Sequence, residues 1–183
     1  MNVFVDEAIY QPGDGVYVVA AVLLDDTKKA SARRAASRIP PIRGRRFHWH
    51  NEDPRERFAM LAVVVQHAVG CLAYVATPAR GRAQEAIRQG FLHRLVQDLA
   101  RHQTIDLVVE SRQHHNDQRD SSTLIRARQE LSVDLGYTHL TPADDPLLWM
   151  ADAIAGAVLG QARKDGRYVT ALPSGLLTVS NSV

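Results

Sequence analysis

Between Leu147 and Leu159 the sequence reads LLWMADAIAGAVL, thirteen residues in which Asp152 is the single charge. An ionised carboxylate is costly to bury unless it is paired or meets a cation, so this stretch must fold where Asp152 finds a partner. Asp144 or Asp145 can cap a helix here and Pro146 suits its first turn, which predicts a helix from near residue 146. Asp152 then lies mid-helix, beyond any capping role. Ala155 and Gly156 follow three and four residues later over the same face. Their small size is expected to let this helix approach the strand that carries Asp6.

The length allows one domain with a real core and is too short to suggest two. Cys71 is the single cysteine, which excludes an internal disulfide, and Met1 is followed directly by a strand-like segment instead of a signal sequence. A cytoplasmic protein is the expectation. The longest apolar run is the thirteen residues above, short of the roughly 20 that a membrane span requires, so no membrane partner is expected.

Charge is distributed unevenly. Lys28, Lys29, Arg33, Arg34, Arg38, Arg43, Arg45 and Arg46 follow one another with no acid among them, which leaves 14 Lys and Arg to face all 20 Asp and Glu. Such segregation suits a polyanion at one edge and cations at acidic sites elsewhere. The alternative is a solvated Arg-rich helix and loop.

Val3 to Ala8 reads as a buried strand, followed by the turn-forming QPGDG and a second apolar run, Val16 to Leu24, which together predict a hairpin. Strand alternation sends Asp6 and Glu7 to opposite faces, so one of them at most enters a given site. Thr27 to about Ile39 is predicted helical and is stopped by Pro40 and Pro41. Arg43 to His50, RGRRFHWH, is expected as a basic loop or edge strand. If extended, it places Phe47 and Trp49 on one face and His48 and His50 on the other. Arg43, Arg45, Arg46, His48, Trp49 and His50 could then grip phosphates and stack on bases. The histidine spacing also suits zinc, but no third ligand is near.

Asp53, Pro54 and Glu56 form the signature of a helix start with a capping box, and the helix through about Ala68 is mostly apolar and expected to be buried. Gly70 to Thr77 is a strand closed by Pro78. Ile87, Phe91, Leu92, Leu95, Val96 and Leu99 mark an amphipathic helix with its bases on the outer face. Ile105 to Glu110 is a strand ending in an acid, the position at which α/β sheets present ligands. SRQHHNDQRD after it reads as a surface loop, with Ser121 or Ser122 capping a helix through roughly Leu135 that Gly136 ends, and Tyr137 to Thr141 a short strand. Residues 168–183 are expected to be a C-terminal extension of unassigned structure.

This order predicts an α/β fold, a mixed sheet that opens with an antiparallel hairpin and is flanked by helices. Three acids recur beside its core: Asp6 on the first strand, Glu110 at the end of an internal strand and Asp152 on the last long helix. If they converge they repel one another, and a hard divalent cation held by oxygen ligands, Mg²⁺ or Mn²⁺, relieves that repulsion.

Phe4-Val5-Asp6-Glu7 before a turn and an apolar strand, and Leu148-Trp149-Met150-Ala151-Asp152 before the small residues to Gly156, resemble the opening and closing motifs of the bacterial domain-of-unknown-function family numbered 3800. The resemblance spans nearly the whole chain. It implies a single ribonuclease H-like domain over 1–183, with Asp6, Glu110 and Asp152 as an acidic, metal-holding set and Glu7 as a weaker member. Ala8 and Ile9 replace the Ser-Gly that commonly follows in that family. The expected activity is a two-metal nuclease acting on RNA or DNA, in which His48 contacts phosphate or assists proton transfer and the basic run holds the backbone. The alternatives are a catalytically inactive module that binds nucleic acid or a protein partner, and a hydrolase of smaller phosphate esters. A homo-oligomer stays open.

Overall fold

A computed structural model of the chain describes residues 1–39, 46–77, 79 and 83–181. In chain order the elements are β1 (Asn2–Tyr10), β2 (Val16–Leu24), α1 (Asp26–Ala36), a single 3-10 turn (Trp49–Asn51), α2 (Pro54–His67), β3 (Gly70–Ala76) and α3 (Ala83–Leu99). They are followed by β4 (Thr104–Glu110), α4 (His114–Leu131), β5 (Asp134–Leu140), α5 (Leu148–Ala162), α6 (Arg167–Thr170) and β6 (Leu177–Asn181). The six strands form one mixed sheet in the order β5-β4-β1-β2-β3-β6. β2 runs antiparallel to both β1 and β3, and the remaining neighbours are parallel.

Helices cover both faces, which explains why the β2 run VYVVAAVLL is almost continuously apolar. Alternate residues supply two cores. Phe4, Val18, Ala20 and Val22 pack with buried residues of α1, α2 and α5, whereas Val3, Val5, Val19 and Ala21 pack with α3 and α4. Each fully buried Val, Leu or Phe side chain contributes roughly 1.5–3 kcal/mol by leaving water. α5 lies across β1 and β2, and every residue from Met150 to Val158 is buried. The acid in that helix is therefore buried over the central strands' side of the sheet.

Local chemistry fixes the start of α2. Asp53 accepts hydrogen bonds from the Arg55 and Glu56 amides and Glu56 answers to the Asp53 amide, the expected capping box of α2. That helix is buried on one side only, and Phe58 and Val65 are exposed. α4 starts at His114, well before Ser121, with Gln113 at its N-cap and no side-chain cap; Asp117 in its first turn accepts from the Arg112 amide and the Ser111 hydroxyl and so ties the preceding residues to the helix. SRQHHNDQRD is thus largely helix rather than loop. α4 ends at Ser132, which takes up a left-handed conformation (φ 53°), so Gly136 is released to β5. There a Cβ would lie 2.9 Å from Asp106 Oδ1, the tip of a side chain on the neighbouring strand β4. The C-terminal segment completes the sheet, with β6 parallel to β3 and Leu177 opposite Cys71. Arg43 and Arg45 of the basic run lie outside the described residues.

Candidate active site

β1 and β4 are parallel neighbours in register up to Val5 opposite Val109, so one step further Asp6 stands beside Glu110 at the carboxyl edge of the sheet. Paired residues on parallel strands point to the same face, here that of Phe4 and Val108, which α5 covers. Asp152 projects from α5 toward the same place. Asp6 is 6% exposed and Asp152 8%. Burial, Glu110 within hydrogen-bonding reach and the charge of Asp152 together push the Asp6 carboxyl well above its ordinary range, with the Glu7 amide opposing them through a hydrogen bond of 2.6 Å. Three acids from separate elements line one cavity of about 170 Å³.

The segment before α2 closes over Asp152. Its Oδ2 accepts the Trp49 amide at 2.8 Å and lies 3.2 Å from His48 Nδ1. That contact with Asp152 raises the His48 pKa from its ordinary value, against partial burial. His48 and Arg46 are exposed and border the cavity, Phe47 is buried, and His50 is exposed and does not line it. Trp49 is turned inward, its ring edge-on to Tyr168 at 4.8 Å and under the Arg57 guanidinium at 5.1 Å. A Cβ on Gly156 would fall 2.2 Å from Trp49 Cγ. The expectation that Gly156 admits the Asp6 strand is therefore corrected: the space it leaves is filled by the Trp49 indole, which docks the loop one turn beyond Asp152. Trp49 is partly buried and packs against the core cluster.

Glu7 takes the opposite face from Asp6, as alternation requires. There it accepts from the Tyr17 hydroxyl and from Arg88 Nη1 at 2.5 Å. Arg88, expected on the outer face of α3, is 1% exposed and also donates through Nε and Nη2 to Asp120, itself fully buried on α4. Arg112 adds bonds to Glu85 and Asp120. Glu7, Arg88 and Arg112 border the cavity from this side. Two sequence signals mark the pair in retrospect: Arg88 occupies the apolar stripe of Phe91, Leu92 and Leu95, and Asp120 that of Leu124 and Ala127. A polar residue on an apolar stripe requires a buried partner, and each supplies the other's. The cavity's last wall is Pro142 and Trp149, the latter three residues before Asp152 on the same face of α5.

Two bases of the run are engaged elsewhere. Arg33 forms a two-pronged pair with Asp145 at 3.0 and 2.6 Å, and Lys29 bonds to Asn2 at 2.7 Å, so Arg46 is the described base of the run that reaches the cavity.

The donor set of Asp6, Glu110 and Asp152 is all carboxylate, a chemistry that fits a hard divalent ion. Among the described residues, three ligand atoms within 4.8 Å of one another are found instead at Asp117, Asp120 and His139. The spacing there suits an ion, but the charge does not, since Arg88 and Arg112 already neutralise Asp120. Among the described residues, no helix is long and apolar enough to cross a membrane.

No protein-family model matches the sequence, and no curated protein is significantly similar to it. Among solved structures the chain is similar to ribonuclease HII in its complex with PCNA from Archaeoglobus fulgidus, with a TM-score of 0.53 at 14% identity, over 95% of this chain and 82% of that one. At that identity the likeness concerns the fold, and the fold of this chain is ribonuclease H-like.

Proposed function

We propose that this protein is a divalent-metal-dependent nuclease whose metal site is Asp6, Glu110 and Asp152. The observation that carries the reading is the convergence of these three carboxylates, from β1, β4 and α5, on one half-enclosed cavity in which Asp6 is held against its charge. The ribonuclease H-like fold supports it. So does the resemblance of the Asp6-Glu7 and Ala151-Asp152 motifs to family 3800, which belongs to the same proposal. Mg²⁺ or Mn²⁺ bound there would activate the attacking water and stabilise the leaving oxygen of a phosphodiester.

The chain's own groups divide the remaining work. Asp6 and Glu110 are held by the paired strands, so their spacing is set by the sheet and not by a mobile loop. The Trp49 amide and His48 fix Asp152 through one oxygen, which leaves the other for a cation. His48 is half-exposed at the cavity rim, within reach of a phosphate oxygen or a departing alkoxide. Arg46 beside it offers a charge to the backbone.

Purified protein with Mn²⁺ is expected to cut RNA or DNA, with Asp6→Asn and Asp152→Asn each reduced to background while melting as folded proteins. Undiminished cutting by the double variant sinks the assignment. One observation favours the rival reading, an inactive nucleic-acid-binding module: Glu7 is tied to Arg88 and Tyr17, so the acidic pair of β1 contributes one free carboxylate. That module would bind nucleic acid in a salt-dependent way and take up no Mn²⁺ in calorimetry.

A further inference from the structure

Trp149 is a partly exposed aromatic wall of the cavity that neither the acidic site nor the ion-pair network explains. It is partly exposed, lines the same cavity as Asp6, Glu110 and Asp152, and stands one turn before Asp152 on the same side of α5. Its indole Nε1 donates to the Pro142 carbonyl at 2.8 Å, and Pro142 lines the cavity beside it. The supporting turn is rigid. Thr141 donates to Asp144 through its amide at 2.8 Å and its hydroxyl at 2.7 Å, and Asp145 is clamped by Arg33 and accepts the Leu147 amide.

The two tryptophans are used differently. Trp49 has Tyr168 at its ring and Arg57 over it, whereas among the described residues neither a ring nor a cation stacks on Trp149. Its polar N–H is satisfied within the protein, and it packs against the core cluster while leaving part of its indole in the cavity lining, so what it offers there is aromatic surface. A planar π-surface of that kind, next to a site built for a phosphate-binding cation, is matched by a nucleobase.

We propose that Trp149, braced by Pro142, is a base-stacking platform that receives an unpaired base next to the phosphate held at the acidic site, which makes the substrate a single-stranded or locally unpaired nucleic acid. In a duplex both faces of each base are covered by its neighbours, so only an unstacked base can lie on the indole. Asp6 and Asp152, each under a tenth exposed at the base of the cavity, are reached by one backbone whose bases turn aside. This inference rests on the nuclease reading for the identity of the neighbouring phosphate.

The test measures binding apart from cleavage, by anisotropy of a labelled, short oligothymidylate with Ca²⁺ present. The competitors are its abasic counterpart, the same strand in a duplex, and thymidine monophosphate. We expect the single strand to bind best and to quench tryptophan fluorescence. Trp149→Leu should weaken it roughly tenfold or more, and Trp149→Phe, which keeps an aromatic face, should recover most of that affinity. The abasic strand should bind wild type and Trp149→Leu alike. Thermal melting checks that both variants are folded. Equal binding of the oligothymidylate by wild type and Trp149→Leu overturns the platform, as does a duplex or abasic strand bound as tightly as the single strand. Tighter binding of the mononucleotide than of the strand overturns the strand as ligand. Trp149-dependent binding without Mn²⁺-dependent cutting keeps the platform and ends the nuclease reading, and cutting that Trp149→Leu leaves unchanged in KM does the reverse.

Discussion

At Asp6 three influences act in one direction: burial, the Glu110 carboxyl beside it and the charge of Asp152 all favour its protonated form. The folded protein therefore binds this proton more tightly than the unfolded chain does. Stability is fullest where Asp6 is protonated in both states and falls as pH rises above its ordinary value of 3.8. Asp6→Asn removes the charge and can keep the bond from the Glu7 amide. In metal-free buffer at neutral pH the variant is expected to melt higher than the parent by a few degrees, at about 2–4 °C per kcal/mol for a chain of this size. The difference should close as pH drops below about 4. A parent that melts higher at pH 7 without metal would falsify this account of the site. Arg88 and Asp120 show the opposite case of burial with full pairing, in which removal of either partner strands a charge in the core.

Between elements, the junction that sets the site is the 3-10 turn against α5. Gly156 accepts the Trp49 indole, Arg57 of α2 holds the Trp49 carbonyl at 2.9 Å, and the Trp49 amide in turn holds Asp152. Gly156→Ala places a methyl inside the ring and should lower stability by about 1–3 kcal/mol, as overpacking does. In a Trp49→Ala background the same substitution meets no ring, and the better helix propensity of alanine should make it neutral or stabilising by up to about 1 kcal/mol. Thermal melting of the four proteins checks the cycle; an equal loss in both backgrounds means that Gly156 serves something other than Trp49. The same junction explains why RGRRFHWH was only partly legible. Alternation pointed to aromatics on one side and histidines on the other, and Phe47 and Trp49 do turn inward while His48 and His50 stay exposed. What decides the use of Trp49 is a glycine more than a hundred residues away.

For the whole molecule, the sheet order places β1 between β4 and β2 with α5 laid across it, so one ion bound to Asp6, Glu110 and Asp152 would tie together three elements far apart in sequence. A ligand that binds only the folded chain stabilises it by about 2.7 kcal/mol at a hundred times its Kd. Mn²⁺ at that excess is expected to raise the melting temperature by roughly 5–10 °C, EDTA to reverse the rise, and Asp152→Asn to abolish most of it. A melting temperature indifferent to Mn²⁺ would remove the metal from the proposal.

The amino-acid sequence by itself determined the hairpin, the capping box at Asp53, the alternation that parts Asp6 from Glu7, and the demand that Asp152 find a partner. These are properties of periodicity and local hydrogen bonding, complete within one element. The tertiary structure alone decided which partners meet: Arg88 with Asp120 and Glu7, Trp49 with Gly156, Trp149 with Pro142 at the cavity wall, and β6 with β3. Burial can turn an arginine on a helical stripe into a core residue only once a second helix brings a carboxylate to it. That meeting depends on how distant elements cross, and no local pattern encodes it.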